Sequence, residues 1–187
     1  MKYSMLIVAI DCHFSHMARF VNNLKLANPN IEIHFFTNKK KEDLPDEIIN
    51  NVDEIIYQKQ TDFHSRYGLI KMYYSLRKQF KELSKNNSYD IVDIHFPRYF
   101  LALIMPYLHQ MSKNVVVTPW GSDILRVEGR KLKILMNGVL NKCDYITTTE
   151  NGNVGKRILS FLPDSRGKFR PMAWGSETID YINTHFS

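Results

Sequence analysis

The chain has 187 residues, 44% hydrophobic and 12% aromatic, a composition that suits one well-packed core and excludes a disordered or low-complexity protein. Lysine and arginine outnumber aspartate and glutamate 25 to 19, for a net charge of +6 and a pI near 9.2. Anionic partners are therefore expected: phosphate esters, nucleic acid or an acidic membrane surface. The only cysteines, Cys12 and Cys143, lie far apart, which argues against a disulfide framework or a zinc site and fits a reducing cytoplasm.

The first element is an apolar run, Met5 to Ile10, read as a buried strand; Asp11 and His13 end it too early for a secretory leader. The loop DCHFS follows, then a helix opened by Ser15, with Met17, Phe20, Val21 and Leu24 on one face. Asn28-Pro29-Asn30 stops that helix, and the alternation in IEIHFFT marks a second strand. After a charged turn over Lys39 to Pro45, a short third strand is expected at Val52 to Tyr57. A long helix is expected over Phe63 to Lys85, with Leu69, Met72, Tyr73, Leu76, Phe80 and Leu83 inward and Arg66, Lys71, Arg77, Lys78, Lys81 and Lys85 outward.

YDIVDIHF, from Tyr89 to Phe96, reads as the fourth strand. Tyr99 to Met111 is apolar nearly all round, a buried helix that Pro106 should kink or end in its first part. Its apolar stretch is far too short to span a membrane. Val115 to Thr118 is a β-branched fifth strand, Lys131 to Leu140 a helix, and Tyr145 to Thr149 a sixth strand. A compact helix around Val154, Ile158, Leu159 and Leu162 ends at Pro163, and Lys168 to Ala173 is a possible seventh strand. This alternation predicts an α/β fold: one doubly wound, mostly parallel sheet of about six or seven strands with helices on both faces.

In such a sheet, ligands bind beyond the carboxyl ends of the strands. The stretch NVVVTPWGSDI, Asn114 to Ile124, runs from a buried strand into a loop bearing Thr118, Trp120, Gly121, Ser122 and Asp123, so function is expected there. The competing reading is a plain strand-to-helix turn, with Pro119 and Gly121 shaping the backbone and Ser122 or Asp123 capping a helix. His95, at the end of the fourth strand, is either an edge histidine bonded to a neighbouring carbonyl or a hydrogen-bond donor to a sugar hydroxyl or phosphate. His13, His16 and His95 can gather near Asp11, Cys12 and Asp123, but no ligand spacing supports a metal. No glycine-rich dinucleotide fingerprint, phosphate loop or nucleophile elbow is present, no cofactor is implied, and no nucleic-acid recognition motif accompanies the positive charge.

Four stretches together resemble the N-terminal domain of glycosyltransferase family 4, retaining enzymes of the two-domain GT-B type. They are the first strand, loop and helix with His16; YDIVDIHF, with Asp90 and His95 on the marked positions; VVVTPWGSDI, with Thr118, Gly121 and Asp123; and CDYITTTE before a helix. KFRPMAWGSETIDY is similar to the family's exit strand and linker, with Gly175 matching. Departures are the missing Gly-Gly pair after the first strand and Trp120 in place of a common histidine.

The resemblance implies a Rossmann-like domain over residues 1–172 and the start of a linker over 173–187. The donor-binding domain, and with it the paired glutamates and donor-phosphate residues, would lie outside this chain, and the fragment alone would be inactive. It implies a nucleotide-sugar donor and a glycan, lipid-linked or small-molecule acceptor. Asp11, His13, Ser15, His16, His95, Trp120, Gly121 and Asp123 would form the acceptor wall, with Trp120 packing on a sugar and His95 making a polar contact. Because the family often uses lipid-linked acceptors, Arg66, Lys71, Arg77, Lys78, Arg130 and Lys131 are candidates for an anionic membrane surface, placing the protein in the cytoplasm, peripheral at the membrane. A stand-alone binding module for a nucleotide, sugar or protein remains the alternative, because fold alone does not determine function.

Overall fold

A computed structural model describes residues 3–59 and 67–171. The strands are β1 (Ser4–Ala9), β2 (Glu32–Thr37), β3 (Glu54–Tyr57), β4 (Ile91–His95), β5 (Val115–Thr118) and β6 (Tyr145–Ile146). Between and after them run helices α1 (Phe14–Ala27), α2 (Asp46–Asn51), α3 (Gly68–Asn86), α4 (Met105–Met111), α5 (Ser122–Leu125), α6 (Gly129–Leu135) and α7 (Asn153–Leu159). The strands form one sheet in the order β3-β2-β1-β4-β5-β6, and every pair is parallel. Strand order reverses between β1 and β4, the topological switch point of a doubly wound fold.

β1 shows why the sheet is covered on both sides. Leu6, Val8 and Ile10 enter the core beneath α3, α4 and α6, whereas Met5, Ile7 and Ala9 enter the core beneath α1 and α2. A strand buried on both faces reads as a continuous apolar run, which is how MLIVAI reads. Phe35 and Phe36 divide between the two cores in the same way, and both are fully buried. At the far end of β4, Asp90 accepts hydrogen bonds from the Ser4 backbone N–H (2.8 Å) and hydroxyl (3.2 Å), which pins β1 to β4.

Several elements differ from the sequence expectation, each for a local reason. Helix α2 arises in a stretch with no helical stripe and buries Ile48 alone. Leu69 was expected inward but is 61% exposed. The 19 residues of α3 span about 28 Å, longer than any strand of the sheet, and Leu69, Ile70 and Tyr74 in its first two turns are exposed. The apolar stretch from Tyr99 divides at Pro106: a 3₁₀ helix over Tyr99–Leu103, then α4 with proline in its first turn. The expected helix to Leu140 becomes α6 followed by a π-helical turn over Met136–Leu140. The Asn141 N–H donates to the Met136 carbonyl at 2.8 Å, and Gly138 lies against Ala102.

β6 is shorter than expected because the chain turns at Thr148, whose N–H donates to the Ile146 carbonyl (3.0 Å). The expected seventh strand is a single parallel bridge of Phe169 to Ile146. Pro163 opens a 3₁₀ helix, Pro163–Lys168, rather than only ending α7. Arg66, the expected first residues of the long helix, and the linker at 173–187 lie outside the described residues. Among the described residues, no helix is long and apolar enough to cross a membrane.

Candidate functional site: the crevice between β1 and β4

The carboxyl ends of β1 and β4 are neighbours, with Ala9 opposite His95. The loops that leave them carry two non-glycine residues at positive φ, Asp11 at 59° and Phe96 at 54°. For a ring as bulky as Phe96 this is an outlier worth about 1–2 kcal/mol, and such outliers cluster at functional sites. Asp11 is held by a reciprocal clamp: its N–H donates to Asn38 Oδ1 (3.3 Å), and Asn38 Nδ2 donates to Asp11 Oδ1 (2.8 Å). Arg98 Nε stands 4.0 Å from Asp11 Oδ2, and its guanidinium lies over the Phe96 ring at 5.7 Å.

Trp120 occupies the centre. Its indole stands nearly perpendicular to three neighbouring rings: His16 at 5.4 Å and 87°, His95 at 6.1 Å and 88°, and Phe96 at 6.2 Å and 76°. The indole is partly exposed, and Asp11, His13, Ser15 and His16, on the loop after β1 and the first turn of α1, are exposed. His13 is the N-cap of α1 with no side-chain cap bond, so Ser15 falls inside the first turn rather than opening the helix. Gly121 adopts φ 111°, ψ −67°, backbone that an L side chain does not tolerate, and thereby turns the chain from Trp120 into α5.

Beneath this rim the polar groups are buried and paired. The Asp123 carboxylate accepts the Trp120 backbone N–H with both oxygens at 3.1 Å and so closes the loop on itself. Burial raises its carboxyl from 3.8 to about 6, against the opposing pull of the backbone N–H groups of Trp120, Gly121, Asp123 and Ile124. Cys12 Sγ–H donates to the His95 carbonyl at 3.4 Å. Burial, then the carboxylates Asp123, Asp11 and Asp93, pushes this thiol far up, with Arg98 opposing, so Cys12 stays protonated and is no nucleophile.

His95 is fully buried, not presented at the rim as its candidate polar contact requires. Its Nδ1 accepts the indole N–H of Trp120 (3.3 Å), and its Nε2 pairs with Asp93 Oδ2 (3.1 Å). Asp93 Oδ1 accepts the Thr118 hydroxyl (2.8 Å), which in turn accepts the Thr147 hydroxyl (2.8 Å). Asp93, Arg98, Asn38 and Phe96 escaped the sequence reading. The signal for Asp93 was its i, i+2 spacing from His95, which places both on one face of β4. Among the described residues, no group of three or more His, Cys, Asp or Glu is placed to hold a metal ion.

The arrangement is an open surface with one large π-system, exposed imidazoles, a carboxylate and a guanidinium. Groups of these types can meet a polyhydroxylated ring or a phosphate by stacking, hydrogen bonding and charge. The sequence profile of the family described as glycosyl transferase 4-like matches residues 7–150, from β1 to the loop after β6. The chain belongs to the glycosyl transferase 4-like family. The whole crevice of this family member, from Asp11 to Thr147, lies inside the matched span.

Solved structures agree on the architecture. The chain is similar to a UDP-N-acetylglucosamine 2-epimerase at 14% identity and a TM-score of 0.64, over 98% of this chain and 51% of that one. It is also similar to the UDP-GlcNAc 2-epimerase of Methanocaldococcus jannaschii at 15% identity and a TM-score of 0.57, over 91% and 45%. A putative UDP-N-acetylglucosamine 2-epimerase from Listeria monocytogenes matches at 11% identity and a TM-score of 0.61, over 90% and 44%. At these identities the likeness is one of fold. The chain spans about half the length of these structures. No curated protein sequence matches it.

Proposed function

We propose that this domain forms the acceptor side of a two-domain retaining glycosyltransferase, which moves a sugar from a nucleotide-sugar donor to a glycan, lipid-linked or small-molecule acceptor. The observation that carries the reading is the meeting of Trp120, His16, Phe96 and Arg98 at the β1–β4 switch point of a glycosyl transferase 4-like chain. Glycosyl transfer passes through an oxocarbenium-like state, and its leaving diphosphate needs electrostatic stabilisation. In this reading the second domain, outside these residues, binds the nucleotide and supplies most of that charge. This domain holds the acceptor hydroxyl near the anomeric carbon and excludes water on closure. Trp120 packs against a sugar face, Asp11, His13, Ser15 and His16 meet hydroxyls, and Arg98 offers a cation to phosphate. The test is turnover by the full-length protein with Trp120→Ala or His16→Ala. Loss of about tenfold or more for Trp120→Ala, with the fold intact, supports the reading, and wild-type rates in both variants contradict it.

A lipid-linked acceptor finds support on α3. Tyr67, Leu69, Ile70 and Tyr74 are 61–72% exposed along its first turns. Lys59, Lys71 and Lys78 join Ile70 and Tyr74 around a groove of about 530 Å³. Exposed apolar and basic side chains in one patch suit the surface of an anionic bilayer. Of the other basic candidates, Arg77 donates to the Tyr107 hydroxyl (3.3 Å), Lys131 lies over the Tyr99 ring (5.4 Å), and Arg130 lines a separate groove on α6. Vesicles containing phosphatidylglycerol should sediment the protein at low salt and release it at high salt. No binding at low salt contradicts membrane docking.

A further inference from the structure

We infer that Asp93 and His95 are positioning residues that aim the indole N–H of Trp120 and so set the orientation of that ring at the rim of the crevice. The inference rests on the crevice reading for its use, and on the geometry of the buried groups for its substance.

The direction of every bond in the chain follows from what each group can do. An indole N–H donates and never accepts, so His95 Nδ1 is the acceptor and carries no proton. The imidazole proton therefore sits on Nε2 and is donated to Asp93 Oδ2. Asp93 accepts a second bond at Oδ1 from Thr118, whose hydroxyl oxygen receives the proton of Thr147. Asp93 is 4% exposed, and His95 and Thr118 are fully buried, so water does not compete for these bonds. The acceptor-only carboxylate is what holds the imidazole in the tautomer that receives the indole.

The ring is braced from the side as well. Phe20 of α1 packs on His95 with centroids 4.5 Å apart, and the Cys12 thiol bonds the His95 carbonyl. Among the described residues, three rings contact the indole at 76–88° and confine its plane, and the N–H bond sets its rotation within that plane. The polar strip thus links β4, β5 and β6 to one side chain at the surface, and a ligand meets an indole already oriented.

Removing the carboxylate breaks this logic, whereas an amide could keep both bonds, its oxygen accepting from the imidazole and its N–H donating to the Thr118 hydroxyl oxygen. Asp93→Ala leaves the Nε2 proton without its acceptor, so nothing holds the proton off Nδ1, where it opposes the indole N–H.

The experiment is ¹H–¹⁵N NMR of the 187-residue chain. The two tryptophans give two indole resonances, which Trp120→Phe tells apart. In the wild type, His95 should show the tautomer protonated at Nε2 at neutral pH, and the Trp120 indole N–H should be protected from exchange. Asp93→Ala should move that resonance and speed its exchange by about tenfold, the effect of one lost hydrogen bond. Asp90→Asn, just before the other end of the same strand, should leave both unchanged. An Nδ1-protonated or doubly protonated His95 in the wild type overturns the inference even if Asp93→Ala does not fold. So does unchanged indole exchange in a folded Asp93→Ala. None of these readouts contains a sugar, so failure of the positioning inference is separate from failure of the crevice reading, which the turnover of Trp120→Ala decides.

Discussion

Gly121 and Asp123 shape the loop that presents Trp120, by different physics. At Gly121 a Cβ would find room, the nearest atom being Val154 Cγ2 at 4.0 Å, so the cost of Gly121→Ala is conformational alone. With φ at 111° that cost should be about 2 kcal/mol in urea unfolding, and a neutral substitution would mean the loop relaxes freely. Asp123 couples the loop to pH. Its carboxyl titrates near 3.8 in the unfolded chain and about 6 in the folded one, so the folded chain holds the proton more tightly. The stability this contributes is complete below about pH 4 and is lost as pH rises through 6, a loss of about 3 kcal/mol. Asp123→Asn should remove that slope when unfolding is compared at pH 4 and pH 7, and an identical slope in both proteins would contradict it. Sequence pattern brought Asp11, His13, Ser15, His16, Trp120, Gly121 and Asp123 to one sheet edge because strand ends follow from apolar runs. It did not reveal that His95 lies under the rim. A histidine at a strand terminus reads the same whether it faces the crevice or an aspartate two residues earlier.

Among the elements, the strands were the most legible, since a parallel sheet buried on both faces leaves continuous β-branched and aromatic runs. Helix boundaries were less so, because tertiary contacts set them. The π-helical turn at Met136–Leu140 is an instance: a Cβ on Gly138 would lie 2.5 Å from Ala102 Cβ. Nothing in the local sequence announces that approach, which depends on the 3₁₀ segment Tyr99–Leu103 crossing there. Gly138→Ala should destabilise by about 1–3 kcal/mol through overpacking. Adding Ala102→Gly should restore much of the loss, and a double variant no better than the single would contradict the contact. α2 was missed because six residues burying one isoleucine carry no periodicity, and the exposure of Leu69 because helix length against strand length is not a property of the stripe.

For the whole molecule, strand order and helix placement put the two chemistries on different surfaces. The crevice opens at the β1–β4 switch, under α1 and the Trp120 loop, whereas the exposed apolar and basic turns of α3 belong to the opposite layer. In the proposed reading, that separation would let one domain approach a bilayer and receive an acceptor at its sheet edge. Exchanging Ile70 and Tyr74 for serine should lower sedimentation with anionic vesicles while leaving the fold unchanged, and undiminished binding would contradict a role for that patch. The chain covers about half the length of these structures that share its fold.

The most direct test of the proposed acceptor crevice uses the full-length protein, a membrane fraction of its source cells as acceptor, and a panel of radiolabelled nucleotide sugars. One donor should pass label into the fraction, and Trp120→Ala should cut that incorporation by about tenfold while the protein remains folded. No incorporation from any donor would return the domain to the reading of a binding module, and full incorporation by Trp120→Ala would show that the β1–β4 crevice is not where the acceptor sits.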